Sequence, residues 1–407
     1  MYPTEKLQIA TPAFKATAYE IYARLRSSSP VMRVPWPRGQ QAFLLTRYDD
    51  VSNLLKDDRF AKDRANVLSL DEPPRGSQWT PRFFSPLMRN LLSLDEPEHA
   101  RLRKLVQYAF TPRRVELLKS RTQEFASQLL DRVDPHRGFD LISDFALPLP
   151  VTVICDLLGV PEPDRPKFAR WSKTIINNTL TPLSVLRAIP SLIAFVMYLR
   201  KLIRQKRDRP QDDLITDLAQ AEDGGRRLSD DELLGMAALL LTAGHETTTN
   251  LIGNGMLALM QHPSQYMRLQ AEPALMETAV EELLRFASPV EVSTERYAID
   301  SITIDSVNVP RGSVVLGAIA SANRDERRFA NADQLDLDRK PNRHLTFGQG
   351  GHFCVGAALA RMEGRVALGA LMERYPGLQL RRPEEALRWR PGAVLRGLEA
   401  LYVVSRP

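Results

Sequence analysis

The residues best suited to chemistry lie in Phe347-Gly348-Gln349-Gly350-Gly351-His352-Phe353-Cys354-Val355-Gly356. Four glycines in ten residues permit positive φ and let backbone approach a flat ligand closely. From Val355 onward, Leu359, Met362 and Val366 recur at three- and four-residue spacing with Arg361, Glu363 and Arg365 between them, which predicts a helix. Cys354 therefore stands just before a helix N-terminus, where free N–H groups and the positive dipole end favour a thiolate. A thiolate held there can serve as an axial ligand to haem iron, pushing electron density toward O–O cleavage. A bare Cys beside a helix is otherwise a small buried hydrophobe; the glycine frame sets Cys354 apart. The other Cys, Cys155, sits in the apolar run Val151 to Leu158 and reads as core.

A second constellation is Ala243-Gly244-His245-Glu246-Thr247-Thr248. It falls in the middle of a long helix that begins near Ser229, an N-cap candidate followed by Asp230, Asp231 and Glu232, and runs to about Met260. A glycine inside a helix costs up to about 1 kcal/mol relative to alanine, and threonine can bond back to a carbonyl one turn earlier and bend the helix. The expected bend makes a groove for a diatomic ligand and ordered water, beside which the Glu246 carboxylate and Thr247 hydroxyl can relay protons. A threonine-rich kink in a core helix is the purely structural alternative. His245 belongs to no metal signature, having no second His at i+4.

Two further pairs follow from helical spacing. His99 and Arg103 are four apart on a helix opened by Asp95-Glu96-Pro97-Glu98, so they share a face suited to a dianion. Glu282 and Arg285 are three apart in Glu281-Glu282-Leu283-Leu284-Arg285 and can pair along their helix.

The elements that must position these groups are mostly helical. A helix is expected over about Phe14 to Arg26, short strands at Val31–Val34 and Ala42–Thr46, and a helix near Asp49. Arg59 to Leu94 reads as an irregular loop with prolines at 73, 74, 81 and 86; loops of that length in compact domains are usually functional. Amphipathic helices fill Arg113 to Ala219, with breaks near Asp134–Gly138, Pro161–Asp164, Thr181-Pro182 and Arg207–Asp213. Strand-like alternation marks Pro289 to Arg296, and a small β region follows at Ile302, Ile304, Val307, Val309 and Val314–Leu316.

The chain has 407 residues, 43% hydrophobic and 26% charged, ordinary values for a globular protein with a large core. Two cysteines argue against a disulfide framework. The start shows no apolar signal region, and no run approaches the roughly 20 apolar residues that span a bilayer; a cytoplasmic location is expected. A net charge of +6 suits an acidic protein partner, and no nucleic-acid motif is present. The His spacing fits no zinc pattern, which leaves little for a metal-dependent hydrolase.

Phe347-Gly-x-Gly-x-His352-x-Cys354-x-Gly356 resembles the haem-binding loop of the cytochrome P450 family, and the likeness spans about residues 10 to 405. It resembles in particular bacterial P450s acting on macrolides, polyketides or fatty acyl groups. The resemblance implies a mainly helical (α+β) P450 fold with a small β-rich side, one haem domain over residues 1–407, and haem b with O2 as co-substrate. It implies Cys354 as iron ligand, with Phe347 beside the sulfur and Gly348 and Gly356 framing the loop. His352, His99, Arg103 and Arg296 are implied at the haem propionates, and Ala243 and Gly244 over the haem. Thr247 and Glu246 are implied as the alcohol–acid pair that delivers protons.

The resemblance also implies a substrate pocket, with the 59–94 loop and the Ile175–Leu202 segment over it. Candidate lining residues are Phe83, Phe84, Leu87, Met88, Leu239, Ala243, Val290, Val292, Val394 and Leu395. Glu282, Arg285 and Arg339 form a structural ion-pair network, although the family's aromatic is Leu335 here. The expected activity is monooxygenation of an apolar polyketide, macrolide, fatty acid, terpenoid or steroid by hydroxylation or epoxidation. Electrons come from a separate ferredoxin or flavodoxin with its NAD(P)H reductase, docking near Arg101, Lys104, Arg113, Arg114, Arg361 and Arg365. A peroxide-driven peroxygenase of the same fold and a non-catalytic haem sensor are the alternatives, and neither needs the Glu246–Thr247 pair.

Overall fold

The computed structural model describes residues 7–67, 83–176, 182–223, 225–382 and 387–405. Parts of the two expected pocket covers, 68–82 and 177–181, lie outside the described residues.

Helices dominate, and the helix Asp230–Gln261 is their axis. Its start is set by a capping box: Ser229 accepts from Glu232 N–H while the Glu232 carboxylate accepts from Ser229 N–H. The helix is apolar on most sides, with Leu233, Met236, Leu240, Leu251 and Met256 all buried, as a helix enclosed by others must be. It packs against Pro148–Leu157, Pro182–Asp208, Met276–Phe286 and Ala357–Arg374, and against the short helix Ser85–Met88. That last contact depends on Gly235, where a Cβ would strike the Pro86 carbonyl. The expected bend at Gly244 and the threonines is not seen as a break. Thr242, Thr247, Thr248 and Thr249 each donate to the carbonyl four residues earlier, and the helix absorbs these bonds without interruption.

A five-stranded sheet lies to one side, in the order Val31–Trp36, Gln40–Leu45, Val314–Gly317, Arg296–Ala298, Phe60–Ala61. Val314–Gly317 runs parallel to Gln40–Leu45; the other pairings are antiparallel. Strand alternation sorts its side chains onto two faces. Val31, Phe43, Leu45 and Val315 join the core with Val51, Leu54 and Phe329. Met32, Val34, Ala42, Leu44, Val314 and Leu316 meet Phe14, Ala18 and Tyr22 of the helix Pro12–Ser28. Leu378–Leu380, Tyr402–Ser405 and Phe139–Asp140 form a smaller sheet.

Glu282 and Arg285 are wholly buried and paired through two 2.7 Å bonds. Arg339 Nε reaches Glu282 at 3.1 Å, and Arg285 also donates to the carbonyls of Asn323, Ala332 and Gln334. Leu335, at the family's aromatic position, is buried in the helical core.

Candidate active site

Cys354 is held by its loop rather than by the helix that follows, which begins at Ala357. Its N–H donates to the Phe347 carbonyl at 2.9 Å. Gly348 and Gly350 stand at φ +70 and +69, which bends the loop back on itself. Gly350 also lies so close to the Leu55 carbonyl that a Cβ would come within 2.9 Å. Phe347 is buried, with the Arg361 guanidinium 4.5 Å above its ring. Arg361 is in turn held by Glu281 at 2.6 and 2.9 Å.

The Cys354 residue exposes surface, yet burial is the strongest influence on its thiol and pushes it up. The residue thus faces a recess in the molecule rather than open solvent. The Gly356 N–H, Arg103 and Arg361 all pull the other way but do not outweigh burial. The loop N–H thus favours the thiolate as expected, while burial outweighs it; a bound metal ion deprotonates a coordinating thiol outright.

Around the recess the structure gathers His99, Arg103, Arg296 and His352, which come from three separate stretches of chain. The His99 and His352 rings lie 4.1 Å apart. Burial, then His99, Arg296, Lys62 and Arg103, push His352 down to about 3, so all five side chains share one neighbourhood. Lys62 is the member missed from sequence. It is buried, donates to Thr294 Oγ1 at 2.5 Å and the Glu295 carbonyl at 2.8 Å, and is pushed down to about 7, chiefly by burial. Arg296 is buried with long 3.3 Å bonds to the carbonyls of Phe60 and Leu55, and its guanidinium is lowered by burial. His99 is 1% exposed, and its Nε2 has no hydrogen-bond partner.

Buried cations and an orphaned ring nitrogen are costly unless an anion meets them. A thiol in the same recess adds a soft metal ligand. Together the donors fit a flat, dianionic iron porphyrin.

On the central helix, Leu239, Ala243 and Thr247 follow at four-residue steps and form one stripe. Ala243 is exposed, and Leu239, Thr242, Gly244 and Thr247 are half-buried, on a helix that is otherwise buried between its two ends. Thr247 Oγ1 donates to the Ala243 carbonyl at 2.9 Å, which leaves its oxygen lone pairs free. Glu246 is buried beside this stripe. Burial raises its carboxyl, while Arg390 (3.5 Å from Oε1) and Lys15 oppose the rise. Lys15 is itself fully buried, donates to the Leu395 carbonyl and is lowered to about 8, mainly by burial. Neither basic residue was legible in sequence, because Arg390 is 144 positions from Glu246. His245 turns away from the stripe and lines a small apolar cavity with Cys155, Val151, Ile154, Phe168 and Phe195.

The pocket candidates separate. Phe83 and Phe84 form an edge-to-face pair at 5.0 Å beside the short helix that packs on the central one. Phe83 and Met88 are exposed, while Phe84, Leu87, Val290, Val394 and Leu395 are half-buried. Val290 and Leu395 are bridged strand partners. Val292 does not belong with them. It is fully buried in the cluster beneath the N-terminal helix, because the chain turns there to bond the Val394 carbonyl through both Glu291 and Val292 N–H.

The six basic residues expected at a docking face are also unequal. Arg101 is bound to Glu232, Arg114 to Asp212 and Asp217, and Arg361 to Glu281. Lys104 is paired with Asp223 at 2.6 Å but well exposed, and Arg365 is 3.8 Å from Glu277. Arg113 is exposed.

Comparison with known proteins agrees with this geometry. A family model described as Cytochrome P450 matches residues 7–396. Cytochrome P450 monooxygenase PikC of Streptomyces venezuelae is 43% identical over 394 residues, covering 96% of this chain and 91% of that one. Mycinamicin IV hydroxylase/epoxidase of Micromonospora griseorubida is 42% identical over 387 residues, 94% of each chain. The solved structure of the Bacillus subtilis 168 bacillaene polyketide synthase cytochrome P450 PksS superposes with TM-score 0.91 at 38% identity, covering 98% of this chain and all of that one. No helix among the described residues is long and apolar enough to cross a membrane. The chain belongs to the cytochrome P450 family and is a haem-b monooxygenase that takes O2 as co-substrate.

Proposed function

We propose that this monooxygenase hydroxylates or epoxidises an apolar molecule of the macrolide or polyketide type. The observation that carries the reading is the stripe Leu239–Ala243–Thr247, an open apolar surface in the middle of an otherwise enclosed helix with Glu246 at its edge. Phe84, Leu87, Val290, Val394 and Leu395 are the remaining apolar candidates for the pocket wall. Relatives named for mycinamicin IV and for bacillaene polyketide synthesis support this substrate class.

Haem, when bound, supplies dioxygen activation and C–H oxidation. The chain's own residues do the rest. Cys354 provides the thiolate, and His99, Arg103, Arg296, His352 and Lys62 meet the propionates. Glu246, kept in contact with Arg390, passes protons toward Thr247, whose free lone pairs accept them. Removing such a relay costs about 10²-fold or more. Electrons come from a separate acidic ferredoxin or flavodoxin and its NAD(P)H reductase, docking near the exposed Lys104 and Arg113 and the half-buried Arg365.

The test is a panel of macrolactones, fatty acids, terpenoids and steroids. Spin-state shifts are read first, then oxygenated product under isotopically heavy O2 with a ferredoxin system. The reading predicts the tightest binding among macrolactones and label in the product. Turnover with peroxide outpacing the O2 system, or binding confined to the other classes, contradicts it. Charge reversal at Arg113 that leaves reduction by every ferredoxin unchanged removes the docking assignment.

A further inference from the structure

We propose that Glu96 is the positioning residue that holds His99 doubly protonated, so that its Nε2–H donates to a carboxylate of the cofactor. The inference rests on the reading above that His99 faces a haem propionate.

Glu96 lies between two donors. Its Oε2 accepts from the Ala100 N–H at 2.9 Å, capping the helix Glu98–Ala109, and its Oε1 lies 2.9 Å from His99 Nδ1. An ionised carboxylate only accepts, so the His99 Nδ1 carries a proton. The Nε2 lies on the far side of the ring, buried and without a partner. In a neutral His99 that atom bears a lone pair, which repels an approaching carboxylate. To meet an anion it must carry a proton as well, and the ring becomes an imidazolium between two carboxylates.

The other groups around the ring oppose that charge. The His352 ring lies 4.1 Å away, tilted by 36°, and Arg103, Arg296 and Lys62 share the neighbourhood. Asp95 is occupied with the N–H groups of Lys62 and Asp63 and the Asn66 amide. Glu96 is the acid in contact with His99. The pair also abuts the cysteine loop. A Cβ at Gly351 would lie 3.6 Å from His99 Cε1 and 3.9 Å from Glu96 Oε1, so the proton on His99 is fixed beside the segment that presents Cys354.

Glu96→Gln separates this role from helix capping. The Gln oxygen must stay on the Ala100 N–H, which turns the amide N–H toward His99 Nδ1. That nitrogen then accepts, and the single proton moves to Nε2, giving a neutral ring that still donates but without charge assistance. The experiment is ¹⁵N NMR of histidine-labelled holoenzyme in the diamagnetic ferrous–CO state, with His99 assigned by its loss in His99→Asn. Haem transfer to apomyoglobin is measured alongside.

Wild type is expected to show both His99 nitrogens protonated. In Glu96→Gln, Nδ1 becomes unprotonated, haem loss is about fivefold faster, and the melting temperature is unchanged. An unprotonated His99 nitrogen in wild type, or identical His99 signals in Glu96→Gln, overturns the proposal. If His99→Asn loses haem no faster than wild type, the placement of His99 at the propionate fails, and this inference with it. Fast loss from His99→Asn beside an unchanged Glu96→Gln overturns only the role of Glu96.

Discussion

Two buried charge clusters in this chain behave in opposite ways. Around Glu282, every strong donor meets an acceptor: Arg285 and Arg339 bond the carboxylate and then five carbonyl groups between them. Around the Cys354 recess the closure is incomplete, although Lys62 has two acceptors and His99 Nδ1 meets Glu96. Arg296 has only 3.3 Å bonds, and His99 Nε2 has none. Both clusters bear the desolvation cost of buried charge. One offsets it within the fold; the other is arranged to meet an anion from outside. The difference separates a structural ion network from a ligand site more reliably than charge content does.

The sharpest way to break the comparison is Arg285→Ala. It leaves the buried Glu282 with Arg339 as its remaining cation, beside the Asp336 N–H and the Asn342 amide, and a broken buried pair costs about 3–5 kcal/mol. The variant is expected to unfold at markedly lower urea, or to fail to accumulate folded, whether or not haem is supplied. An unchanged midpoint would put the two clusters in one class.

Glu363 offers a middle case: an acid buried on the cysteine helix with neither oxygen partnered. Thr248 lies near it but donates to the Gly244 carbonyl at 3.3 Å, so it helps little. Burial pushes the carboxyl up to about 8. A raised carboxyl contributes fully below its ordinary 4.5 and loses that contribution as pH rises toward 8. Glu363→Gln cannot ionise, so it is expected to be more stable than wild type at pH 8, on the order of 3 kcal/mol. At pH 4.5 the two should match. Urea midpoints at the two pH values decide it; a gap of the same size at both would contradict the assignment.

Arg296→Ala addresses the open cluster. Haem transfer to apomyoglobin is expected to quicken about tenfold, equivalent to about 1.4 kcal/mol. The haem-free protein should become no less stable, because the removed charge had few partners. The smallest effect on the folded molecule belongs to Thr247→Val. The hydroxyl's bond to Ala243 adds little to a helix, so stability should move by less than about 0.5 kcal/mol. The fraction of NAD(P)H electrons recovered in product should nevertheless fall, with peroxide released instead.

Much of this was legible in the sequence where information is local. The capping box at Ser229, the glycine frame of Cys354 and the helical spacings of His99 with Arg103 and Glu282 with Arg285 depend on residues at most a turn or a loop apart. Glu96 was legible too, three residues before His99, but nothing in the pattern marks what its carboxylate does. Lys62, Lys15 and Arg390 were not legible, since their partners are more than a hundred positions away. Val292 misled because the family resemblance placed its segment beside the pocket without saying which of its side chains face it. The pairing of Arg101, Arg114 and Arg361 was not legible either, because their acids lie about 80 or more positions away. The burial of the Cys354 thiol was not legible, because a helix terminus is visible in sequence and burial is not.

The most direct test of the account is the reduced-plus-CO difference spectrum of the purified protein beside Cys354→His. The account predicts a Soret band at the red-shifted position of thiolate-ligated haem in wild type, and its replacement by an imidazole-type band in the variant. A wild-type band at the imidazole or protonated-thiol position, or the same band in both proteins, would contradict Cys354 as the ligand around which the recess is built.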